Sequence, residues 1–302
     1  MSAADRPFII ANTRSGGFDP VALRRAIEAR FGDEGDGWSW ALRTKGQSRR
    51  DLTRAALGKG HRVIVAAGGD GTVAKVADVV SQADDAVLGV LPTGTGNLFA
   101  RELGVPLSIP GALERISTDS SGGRRVDGMQ VNGQRRCFSH VSLGTYSRIA
   151  SLDTPAEKQA LGRLAYLRHM ARELRRETSW TFRLSHDGRP RTVRASLVLV
   201  ANVGAVGLGG LRWGDDIAPD DGVLEVCIVH ARDVPGYLRL AGRALLGQHR
   251  QAPEIEYLRV HRELVIVADD PDLPVRGDGK EIGRGRVAVR VLPGAVTVVN
   301  AG

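Results

Sequence analysis

The chain has 302 residues, 25% of them charged, a formal net charge of +8 carried mostly by arginine, and two cysteines, Cys137 and Cys227. That length is enough for one large or two ordinary domains with real cores, and no apolar run approaches the roughly 20 residues needed to cross a bilayer. Two lone cysteines in apolar strand-like runs, with no CxxC, no HExxH and no His/Cys cluster, argue against a disulfide framework and a zinc centre. With no basic-then-apolar leader pattern at the N-terminus, they predict a cytoplasmic protein. Sparse aromatics weaken binding of single-stranded nucleic acid by base stacking; an anionic membrane surface, a polyanionic substrate or simply a basic surface stays open as the meaning of the positive charge.

In chain order, Phe8–Ala11 is a short strand ending in Asn12-Thr13-Arg14-Ser15-Gly16-Gly17. Pro20–Phe31 carries Val21, Leu23, Ile27 and Phe31 at helical spacing, Trp38–Leu42 alternates like a strand, and a polar loop at Thr44–Gln47 precedes a helix over Asp51–Leu57. Val63, Ile64 and Val65 open a buried strand, after which Gly68, Gly69 and Gly71 surround Asp70. Thr72 is the predicted N-cap of a helix with Val73, Val76, Ala77 and Val80 on one face. Val87–Pro92 is a second buried strand, followed by Thr93-Gly94-Thr95-Gly96-Asn97 and a helix that ends at Gly104-Val105-Pro106. This βαβαβ order predicts a doubly wound, mostly parallel sheet, with both glycine loops at the carboxyl edge where ligands bind.

The chemistry of those loops is phosphate binding. Glycine lets backbone N–H groups approach an anion, and a helix N-terminus adds unpaired donors. A bare carboxylate beside phosphates would repel them, so Asp70 makes sense next to a metal or a reacting hydroxyl.

After a helix over Ile109–Ile116, the small polar run Ser117–Gly123 is the expected crossing into a second domain. From there Val126–Val131, Arg136–Val141, Trp180–Leu184, Thr192–Val200, Val223–Val229 and Leu264–Val267 read as strands, with hairpin signals at Asn132-Gly133 and Asp187-Gly188. They predict a mainly antiparallel β-sandwich over 123–293, with Val296–Asn300 returning to complete a first domain of 1–122 with 294–302. Pro155–Arg176 and Val234–Gln248 read as basic amphipathic helices. Their apolar sides, Leu238, Ala241 and Leu245 in the second, either cover the sheet or lie on an anionic membrane. The run Val203–Gly210 has no helix after it, so it is not a dinucleotide fingerprint.

Gly68-Gly-Asp-Gly-Thr72 together with Leu91-Pro-Thr-Gly-Thr-Gly-Asn-Leu-Phe-Ala-Arg101 resembles the diacylglycerol kinase catalytic domain family, which includes bacterial soluble lipid kinases and sphingosine and ceramide kinases. Asn202, Gly207, Gly209, Gly210, Ala218-Pro219, Asp220-Asp-Gly222 and Val275-Arg-Gly-Asp-Gly-Lys-Glu-Ile282 extend the resemblance along nearly the whole chain. It implies an ATP- and Mg²⁺-dependent lipid kinase with its active site in the cleft between two domains. The nucleotide would meet Asn12, Thr13, Arg14, Ser15, Gly16, Thr44, the Gly68–Thr72 loop, Thr93, Gly94, Thr95 and Asn97. Asp70 would serve magnesium or the substrate hydroxyl, and Asp278, with Glu281 beside it, the hydroxyl proton. A structural magnesium would sit on the Asp221 side chain and the carbonyls of Ala218 and Val223. The resemblance also implies a lipid substrate; peripheral contact of the basic helices with anionic membrane and a homodimer through the β domain are separate expectations. Lys280 stands where the family has an acid, and Leu98 where many bacterial members have Asp. These departures keep open a non-catalytic nucleotide- or lipid-binding protein, and the shared GGDGT element keeps open an NAD kinase.

Overall fold

The computed structural model describes residues 6–12, 19–35, 37–43, 46–118, 122–152, 179–205, 212–214 and 216–302. Thr13–Gly16, Thr44, the expected helix over 155–176 and Gly207, Gly209 and Gly210 lie outside the described residues. The chain divides into two compact units, Met1–Gly128 with Pro293–Gly302, and Met129–Leu292.

In the first unit, β1 (Phe8–Ala11), β2 (Ser39–Leu42), β3 (Val63–Gly68) and β4 (Val87–Pro92) form a parallel sheet in the order β2-β1-β3-β4. All six residues of β3 are buried, as the continuous apolar run requires of a strand covered on both faces. Helix α1 (Pro20–Phe31) is capped by Asp19, which accepts the N–H groups of Val21 and Ala22 at 2.9 and 3.1 Å, with Pro20 in the first turn. Helices α2 (Arg49–Gly58) and α3 (Asp70–Val80) pack together and are tied by Arg50 Nε to Asp78 Oδ2 at 2.6 Å. The short α4 (Leu98–Glu102) follows β4, and α5 (Ile109–Thr118) buries Ala112, Leu113 and Ile116. The end of the chain returns to this unit: Thr297 and Val298 pair in parallel with Val87 and Leu88.

The second unit is two packed antiparallel sheets. The segments are β6 (Arg135–Cys137), β7 (His140–Gly144), α6 (Thr145–Leu152), β8 (Trp180–His186), β9 (Arg189–Ala195), β10 (Leu197–Ala201), β11 (Leu224–Val229), α7 (Val234–Leu245), β12 (Ile255–Val260), β13 (Glu263–Ala268), β14 (Pro274–Gly277) and β15 (Lys280–Arg284). Strands β5 (Arg124–Val131) and β16 (Arg286–Val298) run across the unit boundary. One sheet has the order β12-β11-β10-β7-β14-β15; in the other β13 lies between β16 and β8, and β9 pairs with β8. Phe182, Leu184, Val198, Val200, Ile266 and Val287 are among the side chains that fill the core between them. Leu197, Leu199 and Cys227 point to the opposite face, where Tyr237 and Leu240 of α7 pack. Neither cysteine is in a disulfide, and both are buried.

Three expectations are corrected. Thr192–Val200 is two strands, not one, broken at Ser196, whose N–H goes to the Val229 carbonyl at 2.9 Å. The reason is a switch of burial: β9 buries one face and β10 buries both. The final strand begins at Arg286, ten residues before the expected Val296. Leu238 and Leu245 do not cover the sheet; they are 67% and 71% exposed. The rotation of α7 is set by Tyr237, whose hydroxyl bonds Ser196 Oγ at 2.8 Å, and by buried Gly236, whose N–H caps onto Asp233 at 2.8 Å.

Candidate nucleotide and phosphate-transfer site

Strand β3 ends at Gly68, and Gly69, in an extended conformation, caps α3. The helix therefore starts at Asp70, and Thr72, the expected N-cap, is a buried third-position residue whose N–H bonds the Gly69 carbonyl at 2.7 Å. A glycine cap has no side chain to compete for the first N–H groups, so they stay available to an anion.

Because Gly68 pairs with Pro92 in parallel register, the loop after β4 leaves the same sheet edge. The two loops touch. A Cβ on Gly94 would lie 2.3 Å from the Gly69 Cα, a distance no side chain tolerates. Asn97 holds the second loop closed from a left-handed conformation (φ 50°): its Oδ1 accepts the Gly94 N–H at 3.1 Å and its Nδ2 donates to the Gly94 carbonyl at 2.8 Å. Thr93 Oγ1 is buried without a hydrogen-bond partner, while Thr95 and Gly71 are exposed. Asn12 stands at the end of β1, its N–H on the Ala67 carbonyl at 3.0 Å.

Asp70 lies where the loops meet. Its Oδ1 accepts the Phe99 N–H, in the first turn of α4, at 3.1 Å. Burial pushes its carboxyl above the ordinary carboxylate range, against the opposing pull of the N–H groups of Phe99, Asp70, Leu98 and Asn97. Leu98, beside it, is half-buried and adds no charge. This unit thus holds glycine backbone, two helix starts and one proton-affine carboxyl in a single cluster. Exposed Gly71, the unspent Thr93 hydroxyl and that backbone fit a polyphosphate.

In the second unit, Asp278-Gly279 is the tip of the β14–β15 hairpin. Asp278 Oδ2 accepts the Phe138 N–H at 2.9 Å, and Oδ1 accepts those of Ser139 and His140 at 2.8 and 3.3 Å. Asn202 joins the same turn: its N–H bonds the Ser139 carbonyl at 3.0 Å and its Nδ2 the Phe138 carbonyl at 2.9 Å. His140 Nε2 is 2.9 Å from the Val203 carbonyl oxygen. The Asn202 and Asp278 motifs, 76 residues apart in sequence, are thus joined through Phe138–His140, a turn that reasoning from sequence missed because its contacts are made by backbone. Lys280 and Glu281 are exposed, and Glu281 pairs with Arg284 at 3.1 Å.

Asp221 is exposed and its Oδ1 accepts the Val223 N–H at 3.0 Å across Gly222 (φ 74°). This carboxylate and the nearby carbonyls of Ala218 and Val223 are hard oxygen donors of the kind magnesium takes. Among the described residues no three His, Cys, Asp or Glu side chains gather into a metal cluster, and no helix is long and apolar enough to cross a membrane.

Comparison with known proteins agrees with this arrangement along its length. Residues 6–131 match the diacylglycerol kinase catalytic domain, and residues 139–300 the YegS C-terminal NAD kinase beta sandwich-like domain. The chain is 32% identical to a diacylglycerol kinase of Bacillus subtilis over 76% of each protein. It is 30% identical to a "Probable lipid kinase YegS-like" of Pseudomonas savastanoi, over 87% of this chain and 84% of that one. A crystal structure of a diacylglycerol kinase from Bacillus anthracis superposes with a TM-score of 0.79 at 21% identity, over 98% of this chain and 97% of that one.

Proposed function

The chain belongs to the diacylglycerol kinase catalytic-domain family, and from that membership we propose that it transfers the γ-phosphate of ATP to the hydroxyl of a diacylglycerol-like lipid. The observation that carries the reading is the contact of the Gly68–Thr72 and Thr93–Asn97 loops around the Asp70 carboxyl. Phosphoryl transfer needs positioning and charge neutralisation more than covalent help. The N–H groups at the start of α3 and along the Thr93–Gly96 loop would hold the polyphosphate, with Asn12 and the Thr93 hydroxyl beside it. Magnesium bound with the triphosphate would neutralise charge developing between the β- and γ-phosphates.

In the reaction the lipid oxygen bonds to the γ-phosphorus, the bond from that phosphorus to the β-bridging oxygen breaks, and ADP leaves. The hydroxyl proton goes to a carboxylate. Asp70, whose burial raises its affinity for a proton, takes that role in this reading.

The test is labelled-phosphate transfer from ATP with magnesium into mixed micelles of diacylglycerol, sphingoid base, ceramide or phosphatidylglycerol, beside NAD. The expected result is a labelled diacylglycerol product that falls by at least ~100-fold in Asp70→Asn. Label in NAD would replace this reading with a nucleotide kinase. ATP binding without label anywhere would favour a non-catalytic binding protein, with Leu98 and Lys280 as its cause.

A further inference from the structure

Three hairpins of the β-rich unit turn on an Asx-Gly pair with both residues left-handed. They are Asn132-Gly133 (φ 50° and 70°), Asp187-Gly188 (47° and 82°) and Asp278-Gly279 (45° and 75°). Asn and Asp are the non-glycine residues that adopt this conformation most readily, and the pair is the preferred two-residue hairpin turn.

In all three, the Asx side chain reaches out of its own hairpin to backbone N–H groups of another segment. Asn132 Oδ1 accepts from Ala288 at 2.9 Å. Asp187 accepts from His261 at 3.0 Å and from Arg262 and Glu263 at 2.9 Å. Asp278 accepts from Phe138, Ser139 and His140. Asp187 belongs to no site in the proposed reaction, yet it makes the same three-donor contact as Asp278. Burial acts to raise the Asp187 carboxyl, but the N–H groups of His261, Glu263 and Arg262 hold it net below its ordinary range. A carboxylate used this way is a poor proton acceptor, because each N–H bond stabilises its charged form.

We infer that Asp278 is a positioning residue: its carboxylate clamps the Phe138–His140 turn, and through that turn Asn202 and Val203, and it does not take the hydroxyl proton. The clamp is continuous. The Asp278 N–H bonds the His140 carbonyl at 3.0 Å, so backbone and side chain of one residue grip the turn from both sides. Asn202 then grips it again through two bonds. The inference rests on the lipid-kinase reading for its meaning in the reaction, but the clamp itself is observable without turnover.

Asp278→Asn and Asp278→Ala separate the two roles in the full-length protein. Asn keeps the left-handed turn and one acceptor oxygen but removes the base; Ala removes clamp and base together and strains the turn. The readouts are amide hydrogen exchange at Phe138, Ser139 and His140, the melting temperature, and kcat against pH for lipid phosphorylation.

For Asp278→Asn the expected result is kcat within about tenfold of wild type and an unmoved acid limb, since loss of a general base costs about 100- to 10,000-fold. For Asp278→Ala it is loss of exchange protection at all three amides. Asp278→Asn with wild-type protection and melting temperature, kcat down by about a thousandfold and no acid limb would overturn the inference. If Asp278→Ala does not fold, Asp278→Asn still decides. If the wild-type chain labels no lipid, the kinase reading fails on its own; amide protection then decides the clamp, and its retention in Asp278→Ala would overturn it.

Discussion

Asp70 holds the opposed demands of stability and chemistry in one side chain. In the unfolded chain it ionises in the ordinary carboxylate range; in the folded chain burial raises that point. The folded state therefore binds the proton more tightly. Its stability is greatest below the unfolded carboxyl's range and falls as pH rises through the raised folded value. Asp70→Asn removes the charge that is costly at neutral pH. It should melt at a higher temperature than wild type there, and it should lose the wild-type fall in melting temperature between mild acid and neutrality. Thermal melts across that range check this. A variant less stable than wild type at neutral pH would mean that the Phe99 N–H bond outweighs the burial cost. The glycine neighbours of Asp70 alone made it legible as a candidate acid at the first loop. Its raised proton affinity was not legible, because that comes from burial in the folded chain, which outweighs the opposing N–H groups of Asn97, Leu98 and Phe99, nearly thirty residues on.

The two glycine loops work as a pair, and their pairing is a property of elements. Parallel pairing of β3 with β4 brings their ends level, and Gly69 and Gly94 then allow backbone to touch backbone. In Gly94→Ala the added Cβ would sit 2.3 Å from Gly69 Cα, so the loops must part. The expected result is a rise of about tenfold or more in the ATP KM, roughly 1.4 kcal/mol of binding. The sheet should remain intact, since β3 and β4 themselves are untouched. An ATP titration beside a melting curve checks both; an unchanged KM would show that loop contact is not needed for the nucleotide. Apolar runs alone locate β1, α1 and β4 to the residue in this chain. They fail at β9 and β10, where Ser196 looks like one more strand residue and is in fact the break between sheets.

Across the whole molecule, the parallel unit is discontinuous in sequence, and its closing segment is held by backbone pairing and by one buried amide. Asn300 Oδ1 accepts the Val90 N–H at 3.2 Å and its Nδ2 donates to the Val90 carbonyl at 2.8 Å, so the side chain pairs with β4 as a strand would. Asn300→Leu leaves both Val90 groups buried and unpaired. At roughly 1–3 kcal/mol for each such group, the loss of stability should be about 2–6 kcal/mol. Urea unfolding measures it, and a loss below about 0.5 kcal/mol would show that backbone pairing at Thr297 and Val298 is enough by itself.

Length, periodicity and glycine placement by themselves determined the parallel βαβαβ unit, the antiparallel β unit and the acid at the first glycine loop, because each rests on neighbours within a few residues. Tertiary structure decided what depends on contacts between distant segments. It set the start of α3 at Asp70 through the Gly69 cap, the outward turn of Leu238 and Leu245 through Tyr237 and Ser196, and the seating of Asp278 on the Phe138–His140 turn. Hydrogen bonds to backbone amides carry no signature of the donor residue's side chain. A sequence can therefore show that Asp278 is an acid in a tight turn, and only the folded chain shows which amides it holds.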